Sequence, residues 1–389
     1  MSKNKRPSAE TIVTHAGRTP DQHWGYVNTP VYRGSTILFP TLDALESTEP
    51  RFDYGRTGNP SSASVEDTVS ALEGAAGTVL TPSGLSAISL ALMSVLGTGD
   101  DVLISDSAYQ PTRRVADGVL KRMGVSVRYY DPTIGSGIAA LIADNTKAIF
   151  VESPGSLTFE MQDLPAIAAL AAPRGIAIIV DNSWATPIYH QPLALGADIV
   201  IHAGTKMFVG HSDAMFGTAS ANEKWYPALK KTHLQLGLCA SPDDCFLAAR
   251  GLRTLAIRMK EHSARSTEIA QWLEGQPGGQ RVIHPALPSH PGHAIFARDF
   301  TGAGSVFSMI LPSKPREALA AMVDGFELFS MGWSWGGYES LCLPIHPERS
   351  RTATPWDAGG TMLRLHIGLE AVDDLKADLS AALSRYAAS

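Results

Sequence analysis

A chain of 389 residues with 32 Lys and Arg against 38 Asp and Glu carries a formal charge of −6. That balance argues against nucleic acid or an anionic membrane surface as the main partner. Hydrophobic residues make up 44% and charged residues 18%, the reverse of a disordered composition, so the chain is expected to fold, as two or three units.

No apolar run approaches the roughly 20 residues that span a bilayer. The basic N-terminus, MSKNKRPSAETIVTHAGRTP, lacks an apolar segment behind it, so no secretory signal is expected. Cys239, Cys245 and Cys342 form no CxxC or Cys/His zinc spacing and read as reduced thiols of a cytoplasmic protein.

Residues 1–60 are rich in Gly, Pro, Thr and aromatics without a long period and predict an extended arm. Ser64 to Leu72 reads as a helix. After TPSG, residues Leu85, Ile88, Leu92, Val95 and Leu96 repeat on one helical face, and Gly97 and Gly99 stop the run. Val102–Ile104 follows as a buried strand. Helical text at 111–123, 136–143 and 163–172 then precedes the strands VSVRYY, KAIFVE and IAIIVD, with DIVIH at 198–202 as another strand. Short apolar strands alternating with helices predict an α/β unit over 61–255, with a mostly parallel sheet and ligands at the strands' carboxyl ends. Beyond it, a charged helix (Arg258 to Leu273), a Pro/Gly/His-rich loop (275–293), the strands SVFSMIL and MLRLHIGL, and helices at 315–328 and 373–386 predict a smaller α+β domain over 256–389.

Neither GxxxxGK[ST] nor a complete dinucleotide turn is present, because Gly135-Ser136-Gly137 lacks its third glycine. NAD and ATP are therefore not expected. Asp181 ends the strand IAIIVD; it is either an acid capping the next turn or a buried carboxylate that needs a cation. Lys206 lies just past the strand DIVIH among small residues, as a surface lysine or as an amine tuned by burial for Schiff-base chemistry. The two stand twenty-five residues apart at the ends of successive strands. That pairing suits pyridoxal phosphate (PLP), with Lys206 on its aldehyde and Asp181 on its ring nitrogen.

Thr81-Pro82-Ser83-Gly84-Leu85-Ser86 opens a helix. It reads equally as an ordinary cap at Ser83 or as an anion site at the N–H groups of Gly84 and Leu85. Tyr109 either packs or stacks on a ring, and Arg364, within a strand, suits bidentate pairing with a carboxylate. His284, His290 and His293 have no regular element to aim them, so no metal site is expected. Trp333 to Gly337 form an aromatic loop, structural or lining a pocket.

Taken together, Val180-Asp181-Asn182-Ser183-Trp184-Ala185-Thr186-Pro187, Thr205-Lys206-Met207-Phe208-Val209-Gly210-His211-Ser212-Asp213, Tyr54-Gly55-Arg56-Thr57-Gly58-Asn59-Pro60, HPALPSHPGH and Arg364 resemble the Cys/Met-metabolism family of PLP enzymes. The resemblance implies the type I PLP-dependent transferase fold, like that of aspartate aminotransferase, in a homotetramer of two intimate dimers. By position it implies that Lys206 and Asp181 hold PLP, that Tyr109 stacks on its ring, and that Gly84, Leu85 and Thr205 bind its phosphate. Tyr54 and Arg56 would reach the phosphate of a neighbouring subunit, and Ser334, Trp335 and Arg364 would hold a substrate α-carboxylate.

Within the family, RGLRTL, SWGGYESL and LRLHIGLE resemble most the bacterial β-lyases, implying carbon–sulfur cleavage of L-cystathionine by β-elimination. γ-Lyase, γ-synthase or methionine γ-lyase chemistry, or a regulatory protein on the same fold, are the alternatives. Three departures bear on substrate choice: Ala203 replaces a serine frequent in relatives, Trp333 a tyrosine, and Phe246 a hydroxylated aromatic.

Overall fold

The computed structural model describes residues 6–47 and 50–388. Its larger sheet has seven strands: β1 (Gly77–Thr81), β2 (Asp101–Ser105), β3 (Ser126–Tyr130), β4 (Thr146–Glu152), β5 (Ala177–Asp181), β6 (Ile199–His202) and β7 (Gly217–Ala221). Their spatial order is β1-β7-β6-β5-β4-β2-β3. Strands β3, β2, β4, β5 and β6 run parallel, and β7 lies antiparallel to both β6 and β1. Ile178, Ile179, Val180, Ile199, Val200 and Ile201 are all buried, covered from both faces. Each such side chain contributes about 1.5–3 kcal/mol on full burial, which is why these strands read as continuous apolar runs.

Strand β7 escaped the sequence reading because GTASA carries no apolar run. Its small residues have a packing reason: a Cβ on Gly217 would lie 2.2 Å from the Ser83 carbonyl oxygen. The expected helix at 136–143 is instead a 3-10 run, Gly135–Leu141, with glycines at 135 and 137 weakening an α-helix where it would start.

The second sheet is antiparallel, in the order β10-β11-β9-β8, from β8 (Arg281–Ile283), β9 (Val306–Leu311), β10 (Leu341–Pro344) and β11 (Thr361–His366). Strand β8 arises within the stretch 275–293 expected to be loop, the helix His293–Asp299 begins at its last residue, and β10 follows shortly after the aromatic loop. The helix Leu255–Glu274 joins the two cores. Leu255 and Met259 pack into the cluster of Val65, Leu72 and Phe208, whereas Ile269, Ala270 and Leu273 pack under the second sheet.

The arm is less irregular than its composition suggests. It contains the helices Ala9–His15 and Leu42–Glu46 and a 3-10 turn, Pro20–His23, and it buries Ile12 and Val13 against the larger core. It ends where Asn59 caps the helix Pro60–Glu73, accepting the N–H groups of Ser61 and Ser62 at 2.9 and 3.0 Å, with Pro60 in the first turn.

Candidate active site

The site gathers at the carboxyl ends of β4, β5 and β6, where the topology of an open parallel sheet favours a ligand. Lys206 follows β6 after a short turn in which its N–H donates to the Ala203 carbonyl at 2.9 Å. Its ammonium is desolvated by burial and lies near the Arg364 guanidinium, with Asp181 acting the other way; the balance pulls it down to about 8. Nζ donates to Ser334 Oγ and sits 5.5 Å from the Trp335 ring centre. Near neutral pH this lysine therefore supplies free amine that an exposed lysine would not.

Asp181 is 8% exposed at the end of β5. Burial raises its carboxyl, offset by the hydroxyl and N–H of Ser183, the latter at 3.0 Å, and by His202 and Lys206. No ion pair among the described residues involves it. A buried carboxylate in that situation calls for a cation from a ligand.

Glu152, which the sequence reading missed, pairs with Asp181 across β4 and β5. Burial and the neighbouring Asp181 raise its carboxyl well above the usual range, and its Oε2 accepts the Tyr109 N–H at 2.7 Å. It ends its strand as Asp181 does, so the strand-end argument that singled out Asp181 applies to it equally. Tyr109 itself is half-exposed; burial and the charges of Glu152 and Asp181 raise its phenol, with Arg364 opposing.

Gly84 begins a twelve-residue helix, Gly84–Val95, whose N-cap Ser83 accepts the Ser86 N–H at 3.2 Å. The Ser83 cap is thus present, and, as in any helix, the first N–H groups, those of Gly84 and Leu85 among them, have no intrahelical partners. A Cβ on Gly84 would come within 2.6 Å of the Ala203 Cβ, so only glycine lets the helix start lie against the lysine turn. Thr205 directs both its N–H and its hydroxyl at the Phe216 carbonyl, at 2.9 and 3.1 Å.

Arg364, on β11, is buried and donates to the carbonyls of Gly332 and Ser334 at 3.3 and 2.8 Å. Its Nε is buried without a partner in the structure. That free donor is what an incoming carboxylate would satisfy.

Tyr54 and Arg56 stand outside this cluster. Both are exposed, and Arg56 donates to the Leu234 carbonyl at 3.3 Å and lies 5.9 Å from the Tyr54 ring centre. Phe246 also lies elsewhere, lining a small cavity with Asn28, Thr29, Ser64 and Arg250. The loop histidines fasten turns: His284 and His290 accept the N–H groups of Ala286 and Gly292 at 3.2 and 3.0 Å. Among the described residues no group of three or more His, Cys, Asp or Glu is disposed to hold a metal, and no helix is long and apolar enough to cross a membrane.

A lysine depressed by burial, a buried strand-end acid without an ion pair and a helix start packed on the lysine's turn make an arrangement suited to PLP. The family described as Cys/Met metabolism PLP-dependent enzymes matches residues 10–384, and the chain belongs to that family. The chain is 41% identical over 389 residues to the cystathionine beta-lyase MetC of Escherichia coli K12, covering 97% of this chain and 98% of that one. It is also 38% identical over 392 residues to an L-alanine/L-glutamate racemase of Wolbachia pipientis wMel, covering 97% of each. Among solved structures, a cystathionine gamma synthase from Xanthomonas oryzae pv. oryzae, in complex with aminoacrylate and cysteine, superposes with a TM-score of 0.91 at 32% identity, covering 99% of this chain and all of that one.

The residues present fit the cofactor of the family. Asp181 lacks the cation that a pyridinium would bring, Gly84 keeps the helix start open, and Lys206 offers the amine.

Proposed function

We propose that the chain is a carbon–sulfur lyase that converts L-cystathionine and water to homocysteine, pyruvate and ammonia. The observation that carries this reading is the Lys206 amine, held near a pKa of about 8 against Ser334, whose loop is gripped by Arg364. The near full-length likeness to an enzyme named cystathionine beta-lyase supports the choice of substrate. When bound, PLP supplies an aldehyde that takes up an amine and a protonated ring that accepts an electron pair.

The chain's residues then divide the remaining work. Asp181 would hold the positive ring nitrogen, Tyr109 would stack on the ring, and Gly84 and Leu85 would offer N–H groups to the phosphate. The Thr205 hydroxyl, which here donates to the Phe216 carbonyl, would add a further contact to the phosphate. Arg364, with Ser334 and Trp335, fixes the α-carboxylate. Lys206 takes the Cα proton on Nζ and delivers one to the departing sulfur. The Cβ–S bond breaks with its electron pair going to sulfur, and the three-carbon remainder hydrolyses to pyruvate and ammonia.

The arm 1–60, the cofactor domain 61–255 and the C-terminal domain 256–389 assemble, in this reading, as a homotetramer in the cytoplasm. Support comes from Trp24, Leu38 and Tyr26, exposed at 90%, 87% and 71% on the arm, which is apolar surface suited to a second copy. Three unpaired cysteines fit a reducing compartment.

The structural likeness to a γ-synthase favours γ-elimination as a second reading. That chemistry needs another proton removed at Cβ. Product identification separates the two: pyruvate with homocysteine supports β-elimination, 2-oxobutyrate with cysteine supports γ-elimination, and conversion of L-alanine to its enantiomer without release of a 2-oxo acid would move the chain toward the racemase.

Loss of Arg364 should hurt every amino-acid substrate alike, because all share the carboxylate. Arg364→Ala is expected to lower kcat/KM by about 30-fold to several thousand-fold for cystathionine, cystine and S-methylcysteine together. Trp333, 83% exposed, should instead change the ratios between them. A selective loss in Arg364→Ala, or a uniform one in Trp333→Tyr, would reverse the two ends of the substrate.

The exposure of Tyr54 and Arg56, away from Lys206, suits residues that complete a neighbour's site. Arg56→Ala and Lys206→Ala chains, each inactive alone, should therefore regain activity when refolded together, since a mixed dimer holds one site with both residues intact. Mixtures no more active than either parent would contradict the shared site.

A further inference from the structure

Residues 332–337 carry Ser334 against Lys206 yet form no helix or strand. Their backbone is contorted: φ is 78° at Ser334 and 90° at Gly336. Left-handed backbone at a residue other than glycine persists only where its surroundings enforce it. A Cβ on Gly336 would lie 2.9 Å from the Lys206 carbonyl carbon, so the segment rests directly on the lysine's main chain.

Strand β11 supplies the restraint through two residues two apart, which share one face of the strand. Arg364 grips the carbonyls of Gly332 and Ser334. His366, wholly buried, accepts the Gly336 N–H on Nε2 at 3.2 Å, and its Nδ1 lies 2.8 Å from Ser305 Oγ. A main-chain N–H can only donate, so Nε2 carries the lone pair and Nδ1 carries the hydrogen given to Ser305. The other tautomer would present N–H to N–H and could turn only to the Gly337 carbonyl, also 3.2 Å away. Burial, with His262, Arg364 and Lys206 adding to it and only the Gly337 carbonyl opposing, pulls the imidazole down to about 3, so the ring stays neutral.

We propose that His366 is a positioning residue: in its Nδ1–H form it fixes Gly336, and through it sets Ser334 and Trp335 over Lys206 so that the substrate carboxylate meets a preformed site. This rests on reading the site as one for α-amino acids. The reach of the side chain distinguishes two conservative replacements. Glutamine can place a carbonyl oxygen near the Nε2 position, whereas asparagine reaches only as far as Nδ1.

The test uses the holoenzyme and measures KM, kcat, bound cofactor per chain, and the dissociation constant of L-alanine, which has the carboxylate and no leaving group, from the cofactor absorbance. In His366→Asn, KM and the L-alanine constant should both rise about tenfold or more, by more than kcat falls, with cofactor content unchanged; His366→Gln should restore both to within about threefold. Ser305→Ala keeps the ring and its volume but removes the acceptor that selects the tautomer, and should raise the L-alanine constant about threefold. It serves as the test if the asparagine variant does not fold. Equal losses in the asparagine and glutamine variants, or unchanged L-alanine affinity in His366→Asn or Ser305→Ala, would overturn the proposal. A wild-type protein that binds no α-amino acid would overturn the parent reading with it, whereas one that binds L-alanine but releases no pyruvate overturns only the choice of substrate.

Discussion

Lys206→Ala should abolish turnover, with a loss of at least about 10²–10⁴-fold from proton transfer alone, while the protein still folds. The lysine is only partly buried, and its packing partners, Ser334 and the Trp335 ring, remain in place. Cofactor should still bind through ring and phosphate contacts, but without the lysine linkage. The wild-type amine carries a signature of its own. Because burial holds it at about 8, the neutral fraction rises as pH rises through that value, so the rate of PLP capture by apoprotein should climb to about pH 8 and then level. A rate still rising steeply toward pH 10 would show an unperturbed lysine and contradict the desolvated site.

Asp181→Ala should leave a folded protein with weak PLP binding and turnover reduced on the order of a hundredfold or more. The expected cause is loss of the ionic partner that keeps the ring nitrogen protonated. Folding should survive because the wild-type carboxyl is itself disfavoured by burial, so removing it does not strand an unpaired charge. Equilibrium dialysis for the cofactor and steady-state kinetics check both parts. A variant with unchanged affinity and rate would mean that another group holds the ring nitrogen.

The parallel sheet was legible because its strands are apolar throughout: Ile178 to Val180 and Ile199 to Ile201 are covered on both faces. The same logic failed at β7, whose small residues are set by the close approach of the Ser83 carbonyl rather than by any period. It failed too in the Pro/Gly/His-rich stretch, where the three residues of β8 are recruited by pairing with β9. Lys206 and Asp181 stand out by position, as polar groups at the ends of apolar strands. Glu152 meets that rule and was overlooked. His366 gave no local signal at all, since its role depends on a segment thirty residues earlier. Phe246, whose departure from the relatives reads as bearing on substrate choice, sits on the helix Pro242–Leu252 and lines a cavity beside the arm.

The central claim is that chemistry is organised around the amine of Lys206, and borohydride reduction of the holoenzyme tests it most directly. Reduction should fix the cofactor irreversibly, and peptide mapping by mass spectrometry should find one modified peptide per chain, the one containing Lys206, with the label absent from Lys206→Ala. Label on any other lysine, with Lys206 recovered unmodified, would contradict the account.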